Sequence, residues 1–328
     1  MKIALLGTGF GQAHAAVYAA RPDVDEVVVF GRTPQKLAKI SDQFGFATST
    51  DIDAVITDAA VDLVDICLPT GLHADTAVRA MQAGKDVLIE LPLATTLDDA
   101  HRIVAAQQAT GRRAFVDMFS RFSPANQQLR QAAADQRYGP LKVLEIEGRT
   151  ALLWEGYDLG LQTLALDMMH ADFDLVTGLL GRPDTVHVAG TDGPAGKGSV
   201  AEVVLGYPQA IARCSSSSLM PKAYGMRGGY RATFTGAVLE YSMRAGFTGQ
   251  GPSILTEYTA DGERPIELPT ASPYAAMIDH VLACLNGHAD NLIEPASALA
   301  ALELTLECTS ASPSQRSRPR PARHATYV

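Results

Sequence analysis

An α/β fold is predicted by three observations. Up to about residue 122, short apolar strands alternate with helical stretches; a glycine-rich turn joins the first strand to the first helix; beyond residue 122, strands follow one another without helices between them. Alternation with short loops builds right-handed crossovers and a parallel sheet, whereas consecutive strands favour an antiparallel or mixed one. The expected architecture is an N-terminal Rossmann-type doubly wound parallel sheet over 1–122, then a C-terminal α+β domain with a mainly antiparallel sheet over 123–307. Residues 308–328 are expected to form a disordered tail.

Within the first domain the strands read Lys2–Leu6, Glu26–Phe30, Leu63–Leu68, Val87–Glu90 and Ala114–Met118, with helices near 12–20, 34–44, 73–83 and 97–109 between them. Gly84 and Gly111 fall just past helix ends, where a left-handed residue closes the last turn. The second domain begins with a helix over Ser123–Arg137, a strand over Leu141–Glu147 and a helix over Leu161–Leu180. Six short strands follow between Val186 and Thr259, and helices near Tyr274–Asn286 and Pro295–Glu307 close the domain. The tail carries four arginines, three prolines and no acidic residue, a composition that does not build a core.

The chain has 328 residues and a net charge of −9, with 47% hydrophobic and 19% charged residues. That length suits two domains. Scattered acidic charge repels nucleic acid and anionic membranes, so the expected partner is a small molecule. No stretch reaches the roughly 18 apolar residues of a membrane span, and the apolar run Ile3–Leu6 is too short for a secretion signal. Cys67, Cys214, Cys284 and Cys308 lie far apart with no CxxC pair, which fits reduced thiols in the cytoplasm.

Gly7-Thr8-Gly9-Phe10-Gly11 follows a strand and opens a helix. In that context the first glycine permits the tight turn, the second lets backbone approach a pyrophosphate, and the helix N-terminus attracts its charge. The loop is one residue shorter than the usual GxGxxG. Cofactor choice is read at the end of the second strand, where a carboxylate holds the ribose 2′-hydroxyl of NAD. Phe30-Gly31-Arg32-Thr33 offers a guanidinium there, with Lys36 a turn beyond, so NADP is favoured, with NAD possible.

The runs Asp65-Ile66-Cys67-Leu68-Pro69-Thr70-Gly71-Leu72-His73 and Ala83-Gly84-Lys85-Asp86-Val87-Leu88-Ile89-Glu90-Leu91-Pro92-Leu93 resemble the Gfo/Idh/MocA oxidoreductases, which include glucose–fructose oxidoreductase and inositol dehydrogenase. Further matches are Ser120-Arg121-Phe122, Leu166-Asp167-Met168-Met169, Asp172-Phe173-Asp174 and Pro273-Tyr274-Ala275-Ala276. The resemblance implies hydride transfer between nicotinamide and a sugar-like carbinol, with Leu68, Pro69, His73 and Glu90 beside the cofactor. It also implies a second domain that forms a homo-oligomer interface, as a dimer or tetramer.

Two positions depart from the family pattern. The lysine of the family's Glu-Lys-Pro motif, which assists proton transfer at the reacting oxygen, is Leu91 here, and leucine moves no proton. The family's helix carries an aspartate and, four residues on, a histidine; Asp167 matches the first, but Ala171 stands at the second. His170 is displaced from that position by about 100° of arc. It shares an expected face with Asp167 and Asp174 at i, i+3 and i+7, and is either the substitute proton carrier or a hydrogen-bonded packing residue. A metal held by Asp167, His170 and Asp174 has the right atoms but no further support in the chain.

Arg121, with Asp117 nearby, stands where the last strand of the first domain hands over to the second, and is a candidate to hold a substrate oxygen. Trp154, Glu155, Tyr157 and Asp158 form a polar–aromatic loop suited to a sugar, with Tyr157 the leading contact, and Asp174 a further one. The expected function is an NAD(P)-dependent oxidoreductase acting on a sugar-like, cyclitol-like or other cyclic carbonyl or alcohol. The alternative is a catalytically inactive dinucleotide-binding sensor of the same fold, suggested by Leu91 and Ala171.

Overall fold

The computed structural model describes residues 1–152, 159–246, 249–270, 272–310 and 318–319. It divides into two compact units, Met1–Ser123 with Ala271–Leu302, and Pro124–Thr270 with Glu303–Val328. The sequence pattern puts the whole of 271–302 into the second domain; the structure packs that segment with the first.

In the first unit the elements run β1 (Lys2–Leu6), α1 (Gly11–Ala19), β2 (Glu26–Phe30), α2 (Pro34–Phe44), β3 (Ala47–Ser49), α3 (Ile52–Thr57), β4 (Leu63–Ile66), α4 (His73–Gln82), β5 (Asp86–Ile89), α5 (Leu97–Thr110) and β6 (Ala114–Val116). The strands form one parallel sheet in the order β3-β2-β1-β4-β5-β6. Its central strands are apolar on both faces because helices cover both: Ile3, Leu5, Leu63, Val64, Val87 and Leu88 have no exposed surface. Strand order reverses between β1 and β4, which opens a crevice at their carboxyl ends, the place where such sheets take ligands. Gly45 and Gly111 end α2 and α5 in the left-handed region, with φ of 73° and 65°. The strand β3 and helix α3 are absent from the sequence expectation, since three strand residues and six helical ones are too few to show a period.

In the second unit α6 (Pro124–Ala134), β7 (Leu141–Arg149), α7 (Leu161–Leu164) and α8 (His170–Leu180) precede a run of strands. These are β8 (Thr185–Asp192), β9 (Ser199–Gly206), β10 (Ile211–Ser217), β11 (Met226–Phe234), β12 (Val238–Gly246), β13 (Gly249–Thr259) and β14 (Gly262–Ile266). Their sheet is antiparallel except where β7 runs parallel to β10. One face buries Leu144, Ile146, Val203, Leu205, Ala212 and Leu239 in a core with Phe173 and Val176 of α8. The other face carries exposed Ile211 and Ile254 among ion pairs of Arg213 and Arg231 with Glu145, Glu202 and Glu240.

Helix α9 (Pro273–Leu285) belongs to the first unit, and α10 (Pro295–Ser310) starts there and ends in the second. The chain between them lies along the sheet edge: the Val116 amide donates to the Ile293 carbonyl (2.8 Å), and Asn291 Nδ2 donates to the Ala114 carbonyl (2.9 Å). Helix α10 continues two residues past the break expected at Cys308. Of the expected tail, Arg318–Pro319 forms a short strand, β15, against β8, and the remainder from 311 lies outside the described residues.

Candidate cofactor site

Three glycines in the loop between β1 and α1 do three different things. Gly7 has φ of 130°, and a Cβ there would fall 2.2 Å from the Cys67 carbonyl oxygen, so only glycine lets the turn press against the end of β4. Gly9 is exposed, with nothing within 4 Å of a notional Cβ, which leaves its backbone open to a ligand. Gly11 is buried, and a Cβ there would lie 3.4 Å from both Leu5 and Cys67 side-chain carbons, which sets α1 close on the sheet. The turn, the open approach and the close helix packing of a dinucleotide loop are thus all present despite the shorter spacing. Thr8 is half-buried, Phe10 is 52% exposed at the helix start, and Gln12 Nε2 donates to the Thr8 carbonyl (2.9 Å).

The end of β2 abuts this loop. A Cβ on Gly31 would meet Thr8 Cγ2 at 2.6 Å. Arg32, Thr33 and Lys36 follow, all exposed, and Arg32 forms no ion pair among the described residues. No carboxylate stands at the end of the strand, so two cations border the loop where a ribose phosphate would sit. A dinucleotide fits this donor set: backbone amides and a helix N-terminus for the diphosphate, a guanidinium for a 2′-phosphate.

The exits of β4 and β5 are braced together. His73 is fully buried, with Nε2 2.8 Å from the Leu68 carbonyl and Nδ1 3.1 Å from the Pro92 carbonyl. Burial pulls its pKa below the usual histidine value. Its ring therefore holds the Leu68-Pro69 and Leu91-Pro92 turns, the latter a cis peptide, and does not itself face outward. Glu90 also points inward: Oε1 accepts from the Leu91 amide (3.1 Å), while Oε2 is buried without a hydrogen-bond partner.

Glu90 is part of a cluster that sequence reasoning missed. His14 of α1, fully buried, sets Nδ1 2.7 Å from Asp65 Oδ2 and Nε2 3.0 Å from Asp117 Oδ2. Tyr18 donates to Asp65 Oδ2 (2.7 Å), and Cys67 Sγ lies 3.5 Å from His14 Nδ1. The Tyr274 ring, stacked on Phe119 at 4.3 Å, stands 6.2 Å from the His14 ring. The available signal was Asp65, an acid inside an apolar strand, together with His14 and Tyr18 four apart on one helix face. His14, Cys67 and Glu90 offer metal-ligating atoms within 4.8 Å of one another, but both His14 nitrogens are already engaged by carboxylates.

The second-unit candidates fall out differently from their expected arrangement. Residues Ala165–Met169 form a π-helical turn between α7 and α8. It winds through less arc per residue than an α-helix, so Asp167 ends up exposed while His170 and Asp174 are buried. The three do not share a face. His170 Nδ1 bonds Thr305 Oγ1 of α10 at 2.8 Å. Asp174, expected as a substrate contact, is buried and paired with Arg130 Nη2 at 3.2 Å. Arg121, expected to hold a substrate oxygen, instead donates to the Leu292 carbonyl, the Ser297 hydroxyl and the Ser297 carbonyl at 2.7–2.9 Å, because α10 begins beside it. Tyr157, with Trp154, Glu155 and Asp158, lies outside the described residues.

Sheet order, crevice and glycine loop define the class: a dinucleotide-binding Rossmann protein. Residues 1–118 match the Gfo/Idh/MocA family model, described as "Oxidoreductase family, NAD-binding Rossmann fold". It is 35% identical over 129 residues to 4-carboxy-2-hydroxymuconate-6-semialdehyde dehydrogenase of a Sphingobium species, which covers 39% of this chain and 41% of that one. It is 30% identical over 183 residues to inositol 2-dehydrogenase of Rhizobium meliloti, covering 55% of each. These matches span less than two thirds of either relative. The fold extends further: UDP-N-acetylglucosamine 3-dehydrogenase of Acidithiobacillus ferrooxidans superposes with a TM-score of 0.78 at 23% identity, over 94% of this chain and 96% of that one. Among the described residues no helix is long and apolar enough to cross a membrane.

Proposed function

We propose that this protein is an NADP-preferring oxidoreductase that moves a hydride between nicotinamide and a sugar-like, cyclitol-like or other cyclic carbonyl or alcohol. The observation that carries it is the Gly7–Gly11 loop, whose three glycines each meet a separate steric demand of dinucleotide binding. The family match of residues 1–118 and the dehydrogenases among the relatives support the chemistry.

In this reading the amides at the start of α1 hold the diphosphate, and Arg32, Thr33 and Lys36 hold the 2′-phosphate. Leu68 and Pro69, braced by His73, would line the nicotinamide end of the site, and Glu90 holds the Leu91 amide. The bound dinucleotide supplies or accepts the hydride. Asp167, exposed on its π turn, is the group assigned to the substrate hydroxyl, and His170 is buried and bonded to Thr305. The open sheet face, where ion pairs of both signs surround Ile211 and Ile254, suits burial against a second copy, as a homodimer or half of a tetramer. The cytoplasm, which supplies reduced dinucleotide, is the fitting location.

The test is NADPH oxidation by purified protein against a panel of keto-sugars, inososes and cyclic semialdehydes, with NADH in parallel. Turnover of at least one, faster with NADPH, is the expected result; dinucleotide binding without turnover across the panel would favour a sensor. That second reading is supported by Leu91 and by the interior position of His170.

A further inference from the structure

The buried cluster beneath the cofactor loop has an arrangement that hydride transfer does not require. Three carboxyl groups reach it from the ends of three adjacent strands: Asp65 on β4, Glu90 after β5 and Asp117 after β6. From α1 come His14 and Tyr18, from β4 the Cys67 thiol, and from α9 the Tyr274 ring. No lysine or arginine bonds any of these groups among the described residues. Glu90 Oε2 and Asp117 Oδ1 are both buried without a hydrogen-bond partner, and Glu90 Oε2 lies 3.8 Å from His14 Nε2.

The hydrogen-bond pattern suits a charged ring. Each His14 nitrogen faces a carboxyl oxygen, and an imidazolium donates from both where a neutral ring donates from one. Burial alone would drive the proton off, but the nearby Asp65 and the bonds to Asp117 and Asp65 outweigh it and raise the His14 pKa. Burial first, then the neighbouring Asp117, push the Glu90 pKa up. The His14 ring thus lies between two acids, beneath the loop that opens α1.

We propose that His14 is a positioning residue for the dinucleotide site, its imidazolium tying the helix that opens at Gly11 to the ends of β4, β5 and β6. The inference rests on the dinucleotide reading above. His14 lies one helical turn from Gly11, and Asp65 sits two residues before the Cys67 carbonyl against which Gly7 packs. Without the cation, Asp65 and Asp117 repel each other, the loop loses its anchor, and the site gains net negative charge facing the diphosphate.

The experiment compares NADPH binding by fluorescence titration in the wild-type protein, His14→Gln and the double variant His14→Gln/Asp65→Asn, with imidazole nitrogen NMR shifts of wild-type His14 at pH 7. Glutamine is neutral, and the double variant removes one anion for the lost cation. Kd is expected to rise by about tenfold or more in the single variant and to fall back to within about threefold of wild type in the double, while the NMR shifts report a doubly protonated ring. A neutral ring, wild-type affinity in His14→Gln, or no recovery in the double variant would each overturn the proposal. If His14→Gln does not fold, the nitrogen shifts and the recovery in the double variant still decide it. Absence of NADPH binding by the wild-type protein would instead overturn the dinucleotide reading beneath it.

Discussion

Gly7 stands so close to Cys67 that any side chain would enter the Cys67 carbonyl, 2.2 Å from the position a Cβ would take. The contact joins the first strand's turn to the end of β4 at the point where sheet order reverses. Gly7→Ala therefore meets both a backbone clash and a φ of 130°. It is expected to cost about 1–3 kcal/mol in stability and to abolish NADPH binding. Gly9→Ala meets nothing within 4 Å, so thermal unfolding should match wild type while NADPH affinity drops. Equal loss of stability in both variants would refute the division of labour among the glycines.

Arg32 is exposed and forms no ion pair among the described residues, so its replacement leaves the fold untouched. Arg32→Ala should weaken NADPH binding by about 1.5–3 kcal/mol, the worth of a charged hydrogen bond to phosphate, and leave NADH binding within about twofold. Competitive titration with the two coenzymes reads this directly. Parallel loss for both would show that Arg32 holds something other than the 2′-phosphate.

Asp172 of α8 makes stability fall as pH rises. Burial pushes its carboxyl from the ordinary range up to about 7. The folded protein therefore binds a proton over a range where the unfolded chain has released it, and stability is greatest near pH 4 and declines through pH 7. The decline is at most about 4 kcal/mol. Asp172→Asn removes it: the variant should melt at higher temperature than wild type at pH 8 and with little difference near pH 4.5. Parallel melting curves across that range would remove the argument.

How much was legible in the sequence follows from how local each signal is. The parallel sheet and the glycine loop could be read because strand, turn and helix are adjacent in the chain, and β1, β2 and α2 fall on their expected bounds. Which sheet a late helix covers is not a local property, so α9 carries the same apolar face whether it packs on the first unit or the second. The bonds of Arg121 to Leu292 and Ser297 were not legible for the same reason, since those partners lie more than 170 positions away. The shared face of Asp167, His170 and Asp174 assumed a regular α-helix, and a π turn leaves no trace in hydrophobic periodicity. The His14 cluster was half visible in Asp65, whose charge has no place in an apolar strand unless something answers it.

The π turn sets a test of catalysis itself. Asp167 is exposed and His170 is buried, bonded at 2.8 Å to Thr305 Oγ1, so the two substitutions should separate chemistry from packing. Asp167→Asn keeps the shape and loses the charge; it should lower kcat by about 10²-fold, the worth of a positioned acid or base, with NADPH affinity and melting temperature unchanged. His170→Ala removes the buried bond to Thr305 Oγ1 and should cost about 1–3 kcal/mol in stability. If His170 also carries the proton that Leu91 cannot, His170→Gln, which keeps a hydrogen bond to Thr305, should recover the stability but not the rate, and the acid or base limb near neutral pH should vanish from its kcat profile. Full activity in Asp167→Asn would remove this helix from the chemistry and turn the search toward other groups on the same substrate.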